Sequence, residues 1–189
     1  TTYDMYEHNI SSSNTAASGA TNLFDSTYFV MNSAYAVYKV IENDGATAST
    51  VEPTSTSNSI FETSDGYRWK YMYSLTSAET LNFMSSDFIH VSTDSTVSAA
   101  AVDGALDTIL VVAGGSSFST SSGSTISAIP IRGDGANGVA SVTISSGAIT
   151  AASVTTAGTG YTFAYIRTAD IIAATNAGGA GTGENLNVI

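Results

Sequence analysis

Gly133-x-Gly135-x-x-Gly138 has the spacing with which a dinucleotide-binding loop opens a helix onto a pyrophosphate. The next residues, Val139-Ala140-Ser141-Val142-Thr143-Ile144, alternate as a strand does. No acidic residue stands about 20 positions on, where a ribose partner belongs, so the glycines are read as a β-turn. The two histidines, His8 and His90, lie far apart and form no His-x-x-x-His pair. No Gly-x-Ser-x-Gly elbow presents a serine to either, and His90 is read as an ordinary residue at a strand end. Asp134-Gly135-Ala136-Asn137 lacks the carboxylate spacing of a calcium loop. The chain has no cysteine, hence no thiol nucleophile, disulfide or Cys-based zinc site. Any two of the 16 Asp and Glu could converge as a glycosidase pair, but nothing singles out a pair. Asn9-Ile10-Ser11 is a glycosylation sequon without a secretory signal to use it. The expectation is a protein with no catalytic residues, no cofactor, no metal and no small-molecule substrate.

Charge narrows the partners. Five cations (Lys39, Arg68, Lys70, Arg132, Arg167) stand against 16 acids, a net charge of −11. Dispersed cations cannot build the basic patch that nucleic acid requires, and an anionic membrane surface is disfavoured for the same reason. No apolar run approaches the roughly 20 residues of a spanning helix. Thr1-Thr2-Tyr3-Asp4 shows neither an initiator Met nor a signal peptide, which suggests a processed chain or an excised fragment. With 43% hydrophobic residues the chain of 189 can bury a core, while 29 Ser and 26 Thr replace much of the usual charge. That composition suits extracellular and virion β-proteins, whose strands tolerate Thr and whose turns need Gly.

The elements that would carry any site are mostly strands. Residues 11–22 read as a loop, Tyr28 to Met31 and Tyr35 to Ile41 as strands, Asn43-Asp44-Gly45 as a turn, and Ala46 to Ser59 as a surface loop. Ile60 to Thr63, Ser64-Asp65-Gly66 and Tyr67 to Leu75 read as strand, tight turn, strand. Thr76-Ser77-Ala78-Glu79 has capping-box spacing and predicts a short helix near 77–84, with Leu81, Phe83 and Met84 as its apolar stripe. Phe88-Ile89-His90-Val91 reads as an exit strand. The chain changes character after 92–103, so two domains are expected: an aromatic-rich β domain, 1–94, and a Gly/Ser/Thr-rich all-β domain, 95–189.

The second half repeats itself. Aligning residue 104 with 147 places Gly104 on Gly147, Leu106 on Ile149, Val111 on Val154, Gly115 on Gly158 and Phe118 on Tyr161, without a gap. Glycine clusters follow each copy, Gly133–Gly138 and Gly178–Gly183, and each precedes a β-rich stretch, Val139 to Ile144 and Leu186 to Ile189. The reading is a duplicated β-unit (104–144, 147–189) that builds a sandwich or barrel-like domain. In each copy glycine supplies a positive-φ turn and the aromatic covers it.

The strongest local feature is Asp65-Gly66-Tyr67-Arg68-Trp69-Lys70-Tyr71-Met72-Tyr73, whose aromatics share one face of a strand. Trp69 is read as core ahead of a protein contact, with Arg68 and Lys70 pairing with carboxylates. This stretch, with Tyr35 to Asn43, Ser49 to Pro53 and Phe83 to Val91, resembles the baseplate wedge subunit of T-even-like contractile-tailed phages, as carried by marine cyanophages. Ile129 to Gly135 and Ala157 to Thr162 resemble that family's C-terminal half. The resemblance runs from about residue 28, lacks the family's N-terminal region and stops within the second repeat. It implies a non-enzymatic virion structural protein, made in the host bacterial cytoplasm, that forms a homodimer and packs against other wedge proteins. The competing expectation is a receptor- or glycan-binding tail-fibre or adhesin module, resting on the Gly-x-Gly-Tyr-Thr unit. A glycan-cleaving tail-spike enzyme is a distant third.

Overall fold

The computed structural model describes residues 1–119, 124–175 and 180–189. The protein is mainly β and divides into two compact units, Thr1–Ser95 and Thr96–Ile189.

The first unit is built on a four-stranded antiparallel sheet of order β1-β2-β4-β3, from β1 (Phe29–Met31), β2 (Ala36–Asn43), β3 (Phe61–Glu62) and β4 (Tyr67–Ser74). The Asp65-Gly66 turn joins β3 to β4, and Gly66 takes the positive φ (83°) that the tight turn requires. Central strand β2 is buried along nearly its whole length, which explains its run of apolar residues without strict alternation. One core gathers Ala36, Tyr38 and Val40 from β2 with Tyr67 and Trp69 from β4, covered by Tyr3 and Met5 of the N-terminal segment. Helix α1 (Ser77–Phe83) starts at a complete capping box: the Thr76 hydroxyl accepts from the Glu79 amide, and Glu79 accepts from the Thr76 amide.

Two expectations fail here. The apolar stripe of α1 is not turned inward, because the seven-residue helix buries none of its residues. Phe88–Val91 is not a strand. No strand ladder takes up its backbone groups among the described residues: the Phe88 carbonyl accepts from the nearby Ser85 amide, and the His90 carbonyl from the Tyr73 side-chain hydroxyl.

The second unit also departs from expectation, since 95–189 is not all-β. It includes most of α2 (Ser95–Ala100) and all of α3 (Thr168–Thr175). Its strands are β5 (Ile109–Ser116), β6 (Ser124–Pro130), β7 (Arg132–Gly133), β8 (Val139–Ser145), β9 (Ala148–Thr156), β10 (Ala164–Tyr165) and β11 (Thr182–Val188). They form three antiparallel sheets, β6-β8-β9, β11-β5 and β10-β7, around one core that includes Phe118, Ile129, Val142, Ile144, Tyr161, Ile171 and Val188.

The pairing crosses between the two repeats. First strand β5 pairs with last strand β11, and β9 pairs with β8. The registers correspond residue by residue. Val111 opposite Leu186 matches Val154 opposite Ala140, and Ile109 opposite Val188 matches Ala152 opposite Val142. The irregularity between Asn185 and Leu186 matches the one between Val139 and Ala140, while a second in the β8–β9 ladder, between Thr143 and Ile144, has no counterpart. The repeats differ in what fills the intervening chain, β6 in one and α3 in the other, and these two pack together.

Candidate functional site

The aromatic face of β4 is interior at Tyr67 and Trp69 and half-buried at Tyr71 and Tyr73. Tyr67 and Trp69 have no exposed surface. The two rings stack at 5.3 Å, and Tyr3 and Tyr38 meet Trp69 edge-on at 6.1 and 6.3 Å. The Trp69 indole N–H donates to the Thr63 hydroxyl (2.9 Å), and the Tyr67 hydroxyl donates to the Thr47 carbonyl (2.6 Å). On the other face Arg68 pairs with Glu42 (3.3 Å) and Glu62 (3.1 Å).

Two carboxylates anchor the loops around this core. Asp4 is fully buried and accepts from the amide and hydroxyl of both Ser18 and Thr27. Asp65 accepts from the Ser49 and Thr63 hydroxyls and from the Thr50 and Val51 amides, tying the 46–59 loop to the hairpin turn. Burial alone would raise both carboxyls, but these donors outweigh it and hold both below the ordinary Asp value of 3.8. A lowered native value means stability that is complete above the ordinary value and drains away as pH falls toward the native one. Acid titration of the melting temperature should therefore show a loss setting in below about pH 4, and Asp65→Asn should flatten it. An unchanged acid limb in that variant would show that Asp65 does not anchor the loop.

The surface of the first unit carries large apolar side chains with nothing over them. Phe24 lies in a short 3-10 turn (Leu23–Asp25) and is 81% exposed. Leu81 and Phe83 project from α1, Leu81 being 86% exposed, while Phe88 and Val91 lie in the loop after it. Phe24 and Phe88 touch with ring centroids 6.4 Å apart, although 63 intervening residues separate them. Phe83 lies against the His90 ring at 4.9 Å. The segment is held by its own hydrogen bonds: Ser92 hydroxyl to Glu79 (2.5 Å), Tyr73 hydroxyl to the His90 carbonyl (3.0 Å), and His90 amide to the Met84 sulfur (3.3 Å). The Ser92 hydroxyl foremost, then the Thr76 amide and hydroxyl, bring Glu79 down to about 2, so it is charged at working pH. Sequence reasoning named Leu81 and Phe83 as helix stripe and Phe88 to Val91 as strand; a helix too short to pack on was the signal that they stay outside.

In the second unit the glycine-rich stretch after β7 leads into strand β8 and not into a helix. Its glycines make room for Tyr161: a Cβ at Gly135 would lie 2.4 Å from that ring. The Tyr161 hydroxyl donates to the Ile131 carbonyl and accepts from the Gly138 amide, both at 3.1 Å. In the other repeat a Cβ at Gly181 would lie 2.4 Å from the Phe118 ring; Gly178 and Gly179 fall outside the described residues. Arg132 grips Asp170 with two bonds of 2.9 and 2.8 Å. Phe163 and Tyr165 are partly exposed, with parallel rings 6.5 Å apart, and the Arg167 guanidinium sits 5.8 Å from the Tyr165 ring.

Among the described residues no three His, Asp or Glu gather as a metal would need, and no helix is long and apolar enough to cross a membrane. No family model, curated protein or solved structure matches the chain. The arrangement offers two kinds of chemistry: apolar contact on the first unit, and an aromatic pair flanked by arginine on the second.

Proposed function

We propose that this chain is a structural protein of a contractile phage tail, a baseplate wedge subunit that works through protein contacts and without catalysis. The observation that carries the reading is the exposed apolar surface of Phe24, Leu81, Phe83, Phe88 and Val91 on an otherwise hydroxyl-rich protein. Among them Phe24 and Phe88 are in ring contact, and clustered exposed apolar side chains mark interaction surfaces. Burial of the β4 aromatics supports the reading further, because the recognisable Asp-Gly-Tyr-x-Trp-Lys-Tyr-Met-Tyr stretch then specifies a scaffold. Location in the virion, a homodimer and contacts with other wedge proteins belong to the same proposal.

Co-expression with the other wedge proteins encoded beside it, followed by sedimentation, tests it. The expected result is one heavier complex containing this chain. A gene neighbourhood without tail genes, or a chain that sediments alone in their presence, would overturn it.

The Phe163–Tyr165 pair with Arg167 favours the second reading, a glycan-binding tail-fibre or adhesin module, since sugars stack on exposed rings beside planar polar groups. Under that reading Tyr165→Ala abolishes adsorption to host cells without moving the melting temperature; under the wedge reading it changes neither.

A further inference from the structure

We infer that the groove of the second unit lined by Arg132, Tyr165 and Arg167 binds an acidic saccharide of uronic-acid type, through its carboxylate and one face of its ring. The inference rests on the glycan-binding reading above and names the ligand's chemical class.

Strand pairing brings the three side chains together. Arg132 of β7 stands directly opposite Tyr165 of β10. Residues so placed share one face of the ribbon, with Cβ atoms roughly 5 Å apart. Arg167 follows two residues after Tyr165. Its Nη2 donates to the Tyr165 hydroxyl (3.2 Å), and its guanidinium lies 5.8 Å from the ring centre. All three line one groove of about 490 Å³ together with the glycine-rich stretch Gly133 to Gly138. Small-molecule sites occupy roughly 300–1,000 Å³, so the groove is of a size for one or two sugar rings. The glycine-rich stretch is fixed before any ligand arrives. The Tyr161 hydroxyl holds the Ile131 carbonyl and the Gly138 amide, and the Asp134 carboxylate accepts from the Thr162 hydroxyl and the Thr162 and Phe163 amides. Little ordering is left to be done on binding.

Charge selects the ligand. The second unit has two cations, Arg132 and Arg167, against five acids, yet both cations line this groove. None of the described residues that line it is acidic. Asp170 takes Arg132 through Nε and Nη2, which leaves Nη1 without a hydrogen bond among the described residues. Arg167 makes its hydrogen bond to a hydroxyl and not to a carboxylate. Setting Asp170 against Arg132 leaves one positive charge, that of Arg167. A dianionic phosphate would be under-matched by it. A single carboxylate is matched, and its two oxygens fit the planar fork of arginine. The partly exposed Tyr165 ring adds an apolar platform, which the flat face of a pyranose covers and an Asp or Glu side chain does not.

Calorimetric titration of the full chain tests this with three probes: a galacturonate tetramer, its methyl ester (the same rings without charge) and a tetraglutamate peptide (the same charge without rings). The galacturonate tetramer should bind, more weakly as salt rises. The ester and the peptide should each bind about tenfold more weakly or worse, the scale of one lost charged hydrogen bond. Arg167→Gln and Tyr165→Ala should each lose the tetramer and keep the parent melting temperature, because both side chains are exposed. Equal binding of the ester would overturn the inference and leave the glycan reading standing. Equal binding of the peptide would overturn it by placing an acidic protein segment in the groove. Absence of tetramer binding at millimolar concentration, or binding that survives Arg167→Gln, would overturn it as well. The glycan reading itself stands or falls on host-cell adsorption of Tyr165→Ala, so the two fail separately.

Discussion

Trp69→Ala should lower the unfolding free energy by about 3–5 kcal/mol, the range for emptying the site of a large buried aromatic. Trp69 has no exposed surface, and its ring contacts Tyr3, Tyr38 and Tyr67, drawn from the N-terminal segment, β2 and β4. Its loss therefore opens a cavity where three separate parts of the first unit meet, and no single neighbour can collapse into it. The indole N–H adds a second cost, because the Thr63 hydroxyl it reaches also donates to Asp65. Trp69→Phe keeps most of the volume, loses only that bond and should cost about 1 kcal/mol beyond the smaller ring. Denaturant melts followed by circular dichroism read both. A loss below roughly 1 kcal/mol for Trp69→Ala would contradict core burial. The β4 aromatics would then become the contact surface, and the role given to Phe24 and Phe88 would fall with the change.

The features legible in the sequence were those whose cause is local. A capping box needs only Thr76 and Glu79, three residues apart, and α1 starts where they place it. Asp65-Gly66 marks a turn because glycine takes the positive φ there, whatever the rest of the chain does. Phe88–Val91 has strand composition, but a strand also needs a neighbour with free backbone groups, and that is decided by topology. The Asp4 cluster was illegible for a similar reason: its donors are Ser18, within the stretch read as loop, and Thr27, just ahead of the strand read from Tyr28. Helix α3 occupies the place in the second repeat that β6 occupies in the first, so the repeat itself pointed to the wrong element. The exposed apolar surface combines both effects. Its residues were visible, but their exposure follows from how little lies beside a seven-residue helix.

The last expectation concerns the two repeats, which we propose are copies of one β-unit. Gly115 and Gly158 have φ of 64° and 65°. A Cβ on Gly115 would lie 2.5 Å from the Thr182 carbonyl oxygen and 2.7 Å from the Glu184 amide nitrogen. A Cβ on Gly158 would meet the Ala136 carbonyl oxygen and the Gly138 amide nitrogen at the same two distances. Each glycine thus lets the end of one repeat's first strand approach the opening of the other repeat's last strand, beside a buried ring, Phe118 or Tyr161. Gly115→Ala and Gly158→Ala should each destabilise the second unit, by similar amounts on the order of 3 kcal/mol, combining left-handed strain with a backbone clash. Gly160→Ala is the control. It has a positive φ of 72° with nothing within 4 Å of a Cβ, so it should cost strain alone, about 1 kcal/mol. Phe118→Ser and Tyr161→Ser should expose core, whereas changes at Ser119 or Thr162 should leave the core closed. Since β11 completes the sheet begun by β5, neither repeat closes its own sheet, and damage at either glycine should unfold both repeats in one transition. Unequal costs at Gly115 and Gly158, or two separate transitions, would sink the proposal that one β-unit has been used twice with its last strands exchanged.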